Sequence, residues 1–444
     1  MRRHDQLSLE RAWINHPHAR ELEEISRLLD EEPGIAERVG QDLVRGVKNP
    51  QTGRSGMSGD QVLRVLVVKQ MNGFSYETLH FHLIDSASYR TFCRFGALEA
   101  VPSRSAVADN LKKVRAETLE QINRLLVKRA GREGVERGHK VRIDSTVMET
   151  NIHAPQDSSL LWDAVRVLTR LLRQAAETAD FRAWHDHTRW VKWRSLSIQR
   201  APTREKRTAL YAQLLKVSRK VLGYTWSARA VLADSKEEAK RRLAFELNHY
   251  GRLLARVIEQ TQRRIQAGEV VPAQEKVVSL FEPHTDILIK DRRETLYGHK
   301  ISLSVGASGL VLDCLIHKGN PADSTLSTPM LQRQTVLYGR PPRQAALDGG
   351  FTSKANLREA KALGVKDVCF AKKRGLKVPE MVRSTWVYRK LRDFRAGIEG
   401  VISFLKRVFG LDRCTWRGEF SFGSYVWSSI VAANLLTLAR HRLG

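Results

Sequence analysis

The chain has 444 residues, enough for two or three domains, and its 75 lysines and arginines against 48 aspartates and glutamates give a net charge of +27. So large a basic surplus indicates a polyanionic partner, most often a nucleic acid. No apolar run reaches the roughly 18 residues that cross a bilayer, the N-terminus lacks the apolar segment of a signal peptide, and the four cysteines form no Cys-x-x-Cys pair. We therefore expect a cytoplasmic protein with reduced thiols.

Residues 18–130 predict a series of helices. One of them begins with a capping box of Ser58 and Gln61 and ends at Gly73. Residues 103–131 predict a single long helix with basic residues near its start: Arg104, Lys112, Lys113 and Arg115. Short helices before a long basic one resemble a helix-turn-helix DNA-binding module, although an ordinary helical bundle has the same pattern. Residues 1–135 are thus expected to form a helical domain for DNA binding or dimerisation.

The first strand pattern follows at "HKVRIDSTVM", residues 139–148, which places Asp144 and Thr146 on the same strand face. Residues 155–271 are again helical and predict an insertion domain. Within them, "RAWHDHTRWVKWR" interleaves tryptophans, including Trp190 and Trp193, with arginines and lysines. Such a run either stacks on unpaired bases while holding phosphates or packs inside the insertion.

Strand patterns return at residues 276–282, in a hairpin over 299–318 that turns at Ser308 and Gly309, and at 344–350 and 366–373. Helical patterns lie between and after them. The fold class predicted is therefore α/β: a mixed sheet of about five strands with helices, formed by residues 136–154 and 272–444. The all-helical insertion interrupts this core after its first strand.

Three acids stand where acids are rare unless they are paired or bind a metal. Asp144 lies mid-strand, Asp348 ends an apolar strand before two glycines, and Glu399 lies on a polar helix face with Arg392, Arg395 and Lys406. Three carboxylates suit hard cations such as Mg²⁺, and two such ions catalyse phosphoryl transfer. Arg392, Arg395 and Lys406 are then expected to contact DNA phosphate. The alternative is structural: Arg395 and Glu399 have the spacing of a surface ion pair, and Asp348 suits a turn.

Four stretches of the sequence resemble DDE transposases of bacterial insertion sequences, most closely the group called ISNCY. In chain order they are "RIDSTVMETNIHAPQDSSLLWDAVR", "GHKISLSV…GLVLDCLIHKGNPADSTL", "ALDGGFTSKANL" and "FRAGIEGVISFLKRVFGLDRC". The resemblance implies an RNase H-like core with Asp144, Asp348 and Glu399 as the acidic triad and metal ligands. Related families carry a Tyr, Arg, Glu, Lys signature on the glutamate helix. Here Arg395, Glu399 and Lys406 match it, but Arg392 stands at the tyrosine position.

The function that this resemblance implies is metal-dependent cleavage at the ends of the element and strand transfer into target DNA. It implies two Mg²⁺ ions, for which Mn²⁺ can substitute, and double-stranded DNA carrying the terminal inverted repeats as the partner. It also implies a homodimer or larger assembly in a synaptic complex, in the nucleoid-associated cytoplasm of a bacterium. The sequence predicts no membrane partner and, lacking a glycine-rich loop followed by Lys-Ser/Thr, no nucleotide cofactor.

Two other functions fit the same sequence: a nuclease on this core that cuts without joining, and a non-enzymatic repressor derived from a transposase. Lesser site candidates are Thr146, which shares a strand face with Asp144, and His153, which either contacts DNA or is an ordinary loop histidine. Asp323 in "GNPADSTL" is expected to cap a helix. Rivals to Asp144, none of them mid-strand, are Glu149, Asp157 and Asp163.

Overall fold

The computed structural model describes residues 16–49, 52, 56–96, 99–290 and 294–444. The chain divides into two compact units. The first unit comprises Met1–Thr150 and His299–Gly444, and the second unit comprises Asn151–Gly298. The second unit is thus inserted into the chain of the first.

The described N-terminal residues form seven helices: α1 (Pro17–Asp30), α2 (Pro33–Val44), α3 (Gly59–Asn72), α4 (Tyr76–Asp85), α5 (Ala87–Phe92), α6 (Arg104–Lys113) and α7 (Ala116–Arg132). The capping box before α3 is confirmed. The Gln61 N–H donates to Ser58 Oγ over 3.0 Å, and the Ser58 N–H donates to Gln61 Oε1 over 3.1 Å. The helix ends, as predicted, at Gly73, whose φ of +62° is the left-handed conformation that glycine adopts without strain.

The prediction of one helix over residues 103–131 is wrong, because α6 and α7 are separate. The chain leaves the helical conformation at Val114 and Arg115, with ψ angles of 124° and 152°. Val114 is fully buried, and the Arg115 N–H donates to the Asp42 carboxylate over 2.9 Å. A carboxylate on α2 thus replaces the helical acceptor, which a local pattern does not reveal. Arg104, Lys112 and Lys113 lie on α6.

Six strands form one mixed sheet among the described residues: β1 (Lys140–Glu149), β2 (Asp286–Lys290), β3 (Glu294–Val305), β4 (Val311–Ile316), β5 (Gln344–Leu347) and β6 (Asp367–Phe370). Their order is β2-β3-β1-β5-β6, with β4 also paired to β3. β1, β5 and β6 are parallel, and Ile143 pairs with Leu347 in the register of β1 and β5. The predicted hairpin is confirmed as antiparallel β3 and β4, with Gly309 at a φ of +87° in its turn.

The sequence predicts a strand over residues 276–282, but these residues do not join the sheet. Val277, Val278 and Leu280 are buried. The Gln260 side chain holds the Val277 backbone, since its Oε1 accepts the Val277 N–H over 2.8 Å and its Nε2 donates to the Val277 carbonyl over 3.2 Å. These apolar residues are therefore core residues, but a side chain supplies the hydrogen bonds of a neighbouring strand. β2 begins only at Asp286.

The second unit is mainly helical: α8 (Asp157–Ala179), α9 (Thr188–Gln199), α10 (Arg204–Ala233) and α11 (Glu238–Thr261), with a π-helical turn over Gln262–Gln266. These helices enclose a hydrophobic core of their own, which includes Leu161, Leu168, Leu214 and Leu254. β2 pairs antiparallel with Glu294–Gly298 within this unit.

The rest of the first unit adds α12 (Ser327–Tyr338), α13 (Lys354–Ala362), α14 (Val378–Met381), α15 (Thr385–Phe409) and α16 (Glu419–Leu443). Among the described residues one helix, α16, is long and apolar enough to cross a membrane, but most of it is buried. It packs against α1, α3 and α7, as a core helix of a soluble protein does. The N-terminal helices, the strands and α16 share a single hydrophobic core.

Candidate active site

The three acids singled out from the sequence come from three different elements of the first unit. Asp144 follows Ile143 on β1, and Asp348 follows Leu347 at the end of β5. Because these two strands are parallel neighbours and Ile143 pairs with Leu347, the two aspartates lie side by side, Asp144 within β1 and Asp348 directly after β5. Glu399 lies on α15, which packs against both strands.

The Arg395 guanidinium joins all three carboxylates. Its Nη2 lies 3.0 Å from Asp144 Oδ2 and 3.1 Å from Asp348 Oδ1. Its Nη1 lies 2.9 Å from Glu399 Oε1. The ion pair between Arg395 and Glu399, which the sequence suggested as a surface feature, is thus present, but it belongs to a cluster that includes both aspartates.

The ionisation of Asp144 depends on the charges around it. Burial raises the pKa of Asp144, and the negative charges of Asp348 and Asp323 raise it further. A hydrogen bond from the Ser145 N–H, 2.8 Å long, and the charge of Arg395 act in the opposite direction. A cation placed among these acids therefore favours the ionised form of Asp144.

The donor chemistry of this cluster fits a hard divalent cation, because all three acidic groups are carboxylates. In the described part of the chain, however, no group of three or more His, Cys, Asp or Glu side chains is gathered closely enough to form a metal site. A nitrogen of Arg395 instead lies at hydrogen-bond distance from each carboxylate. The acids thus surround a positive charge, and the charge present belongs to a side chain.

Asp323 is a residue near the site to which sequence reasoning gave another role. The predicted helix cap is wrong: Asp323 is the first residue of a 3₁₀ turn and makes no capping bond there. Its carboxylate pairs with Lys300 Nζ over 2.6 Å. It also lies against Gly350, where an added Cβ would come within 2.7 Å of Asp323 Oδ2. The signal was the "GNPADSTL" stretch itself, among the segments that carry the family resemblance.

Other cations of the first unit lie on α15 or next to the residue that follows Asp348. Arg392 is exposed on α15, and Lys406 on the same helix pairs with Asp412 over 3.2 Å. Lys372, which no sequence pattern indicated, has its side-chain carbons over Gly349, the residue after Asp348. A Cβ at Gly349 would come within 2.8 Å of Lys372 Cγ, so the glycine makes room for this lysine.

The remaining predicted residues lie on other elements. On α6, Arg104 pairs with Glu77, Lys112 lies 5.7 Å from the Tyr76 ring centre, and Lys113 is exposed. Thr146 is half-buried on β1. In the second unit, His153 is exposed. Burial raises the pKa of Asp163, and the charges of Arg166 and His153 offset part of this rise. Trp193 is 71% exposed, and Trp190 lies under the Arg194 guanidinium.

The three rival acids each have structural partners. Glu149 lies near Arg413, Asp157 accepts from Arg264 and Gln260, and Asp163 pairs with Arg166. Tyr388, out of register with the family signature, is buried and donates to the Phe370 carbonyl over 3.0 Å. These contacts account for all four residues without a role in the acidic cluster.

Two family models match the chain. One, described as Transposase DDE domain, matches residues 281–435, and the other, described as Transposase domain (DUF772), matches residues 10–113. The first match includes Asp348 and Glu399, whereas Asp144 lies outside both matched ranges. No curated protein and no solved structure matches. The DDE domain implies an RNase H-like core, in agreement with the mixed sheet. The chain belongs to the DDE transposases of insertion sequences.

Proposed function

We propose that this transposase cleaves DNA at the ends of its own insertion sequence and joins them to target DNA, with Asp144, Asp348 and Glu399 as the catalytic acids. The observation that carries the proposal is their meeting at one guanidinium. Three carboxylates from two neighbouring strands and a packed helix contact Arg395 at 3.0, 3.1 and 2.9 Å. A surface ion pair on α15 needs only Arg395 and Glu399. It does not explain why two aspartates from other elements contact the same guanidinium.

The proposed cofactor is Mg²⁺, two ions, for which Mn²⁺ substitutes. Asp144 and Asp348 would hold the ion that they share, and Glu399 the second. When bound, the ions would lower the pKa of an attacking water and stabilise charge on the leaving oxygen. Of the three carboxylates Asp144 is the least exposed, at 16%, so the surrounding protein fixes its position most closely.

Cations around the acids are suited to hold the DNA backbone. Arg392 is exposed, and Lys406 can exchange its partner Asp412, which is 66% exposed, for a phosphate at little cost. Lys372 lies against Gly349, the residue after Asp348, and its ammonium group is assigned to a phosphate oxygen near the bond that is cut. Charge-assisted bonds of this kind orient the phosphodiester for in-line attack.

Other contacts with double-stranded DNA are assigned to the N-terminal residues 1–135, through Arg104, Lys112 and Lys113, and to the insertion of residues 155–271, through Trp190 and Trp193. The core then comprises residues 136–154 and 272–444, with Thr146 assigned to support Asp144 and His153 assigned to DNA. Bringing two element ends together calls for at least a homodimer on DNA. The protein is expected to act in the bacterial cytoplasm without a nucleotide cofactor.

The test compares the wild type with Glu399→Gln on a labelled duplex that carries an element end and its flank, with Mg²⁺ or Mn²⁺. Cleavage, joining to a second duplex and DNA binding are each measured. The matched control is Glu419→Gln, which removes the same charge from a side chain of similar exposure, 65% against 67% for Glu399. We expect Glu399→Gln to bind DNA normally and to cleave at least about a hundredfold more slowly, and the control to cleave normally.

Each other outcome points to a different function. Cleavage by Glu399→Gln at the wild-type rate would contradict the assignment of Glu399 as the third catalytic acid. Wild-type protein that cuts but never joins would be a nuclease. Wild-type protein that binds the ends and neither cuts nor joins would be a repressor.

A further inference from the structure

Arg395 occupies the place where one cation contacts all three proposed catalytic acids. We propose, on the basis of the function proposed above, that Arg395 is a positioning residue that a divalent ion displaces. In the metal-free protein its guanidinium holds Asp144, Asp348 and Glu399 together. When the metal binds, the guanidinium leaves the carboxylates and is free to bind DNA phosphate.

The hydrogen bonds of Asp144 favour the displacement. One of its oxygens, Oδ1, accepts the Ser145 N–H over 2.8 Å. The other oxygen, Oδ2, lies 3.0 Å from Arg395 Nη2. The oxygen without a backbone hydrogen bond is thus the one that Arg395 contacts, and a guanidinium nitrogen and a metal ion cannot occupy the same lone pair of that oxygen.

The charges of the cluster favour a stronger cation than arginine. Three carboxylates meet one guanidinium, so two negative charges remain uncompensated among these four groups. Lys300 pairs with Asp323, so these two groups together add no net charge beside the cluster. Carboxylates held this close repel one another. A divalent ion relieves the repulsion more fully than Arg395 does, provided that Arg395 has moved away.

Arg395 is also incompletely bonded where it lies. Its Nε is buried without a hydrogen-bond partner among the described residues. Its partner Glu399 is 67% exposed, so that ion pair contributes little. A DNA phosphate accepts two parallel hydrogen bonds from a guanidinium and would compensate Arg395 for the carboxylates that it loses. Binding of DNA and of metal should therefore be cooperative, each raising the affinity of the other by the same factor.

A purely structural role for Arg395 has the opposite consequence. If its only task were to fasten α15 to β1 and β5, its loss would loosen the three carboxylates and weaken metal binding. The sign of the change in metal affinity separates the two roles.

The experiment measures Mn²⁺ binding to the full chain without DNA, with free Mn²⁺ followed by electron paramagnetic resonance. Arg395→Gln is compared with the wild type and with Arg389→Gln, which removes the same charge from an exposed position of α15. We expect Arg395→Gln to bind Mn²⁺ at least about tenfold more tightly, because a unit positive charge has left the site. Arg389→Gln should stay within about twofold of the wild type. Unchanged or weaker binding by Arg395→Gln overturns the inference.

A second measurement needs only the wild type and decides the question if Arg395→Gln does not fold. Mn²⁺ affinity is measured with and without a duplex that ends at the element terminus and has no bond left to cut. We expect an increase of about tenfold or more on adding this duplex, and no increase overturns the inference.

Asp144→Asn separates this inference from the proposed function. If Asp144→Asn binds Mn²⁺ as the wild type does, the acids are not the metal site and the proposed function fails. If Asp144→Asn loses Mn²⁺ while Arg395→Gln binds it unchanged, only the role given to Arg395 is wrong.

Discussion

His317 is joined to the strand of Asp144 by a short chain of hydrogen bonds. Its Nε2 lies 2.8 Å from the Ser302 hydroxyl, which in turn lies 3.0 Å from the hydroxyl of Ser145, the neighbour of Asp144. Burial lowers the pKa of His317, and the charge of Lys300 lowers it further, while Asp323 raises it. A neutral imidazole can take part in this chain as donor or acceptor, whereas a protonated one can only donate.

The lowered pKa of His317 predicts a loss of stability in mild acid. The pKa of a histidine in an unfolded chain is about 6.5. Well above this pH, His317 is neutral in both the folded and the unfolded protein, and its contribution to stability is fully present. As the pH falls below that value, the unfolded chain takes up a proton before the folded one does, and the free energy of unfolding decreases. We expect this decrease between pH 8 and 5.5 to be smaller in His317→Gln than in the wild type. Urea unfolding at both pH values measures it, and equal losses in the two proteins would contradict the prediction.

At the scale of an element, α15 carries Glu399, Arg392, Arg395 and Lys406, so its position sets the geometry of the site. The helix begins at the cap Ser384, whose side chain accepts the Val387 N–H over 3.2 Å, and ends at Gly410. Gly410 has a φ of +69°, and an added Cβ would come within 2.5 Å of the Tyr425 hydroxyl on α16. The end of α15 thus depends on a glycine for both backbone conformation and space.

Two glycines of this region should respond oppositely to alanine. Gly410→Ala forces a left-handed residue and a close contact with Tyr425, and we expect it to lower the free energy of unfolding by about 1–2 kcal/mol. Gly400, inside α15, is exposed with no atom within 4 Å of an added Cβ. Gly400→Ala should raise stability by roughly 0.5–1 kcal/mol, as helix propensity predicts. Urea unfolding of both variants measures the two changes. A Gly410→Ala protein as stable as the wild type would contradict the prediction and show that the chain relaxes at this cap.

At the scale of the whole molecule, two buried asparagines from distant parts of the first unit meet at β4. Asn434 of α16 accepts the Val311 N–H over 2.9 Å and donates to the Val311 carbonyl and to Asn123 Oδ1, each over 2.7 Å. Asn123 of α7 also donates to the Val311 carbonyl, over 3.2 Å. One N-terminal helix, one strand of the sheet and the last helix are therefore held by a single polar cluster inside a shared core.

Asn434→Leu should destabilise the whole first unit. The substitution leaves the buried Val311 N–H without its acceptor, and such a loss costs about 1–3 kcal/mol. The control is Thr437→Val on the same helix, whose hydroxyl donates only within α16, to the Ala433 carbonyl over 2.8 Å. Urea unfolding followed by tryptophan fluorescence and by circular dichroism should show one shifted transition for Asn434→Leu and little change for the control. A loss no larger than that of Thr437→Val would show that the cluster adds nothing to stability.

Local sequence patterns predicted those parts of the fold that depend on neighbouring residues. The capping box at Ser58, the strand around Asp144 and the hairpin that turns at Gly309 all follow from residue type and period over about ten positions. The patterns misled where a distant side chain took over a backbone hydrogen bond. Asp42 separates α6 from α7, and Gln260 holds residues 276–282 out of the sheet.

The sequence by itself determined the chemistry available to this protein: a large positive charge, three unusually placed acids, and motifs that belong to transposases. Only the tertiary structure decided which partners these groups have. The position of Arg395 on α15 predicted a contact with DNA, yet in the structure Arg395 contacts Asp144, 251 positions away in the chain. Asp323 is a neighbour of the acids and not a helix cap. Helical and strand periods depend on adjacent residues, whereas ion pairs depend on strand register and helix packing, which form only when the whole core does.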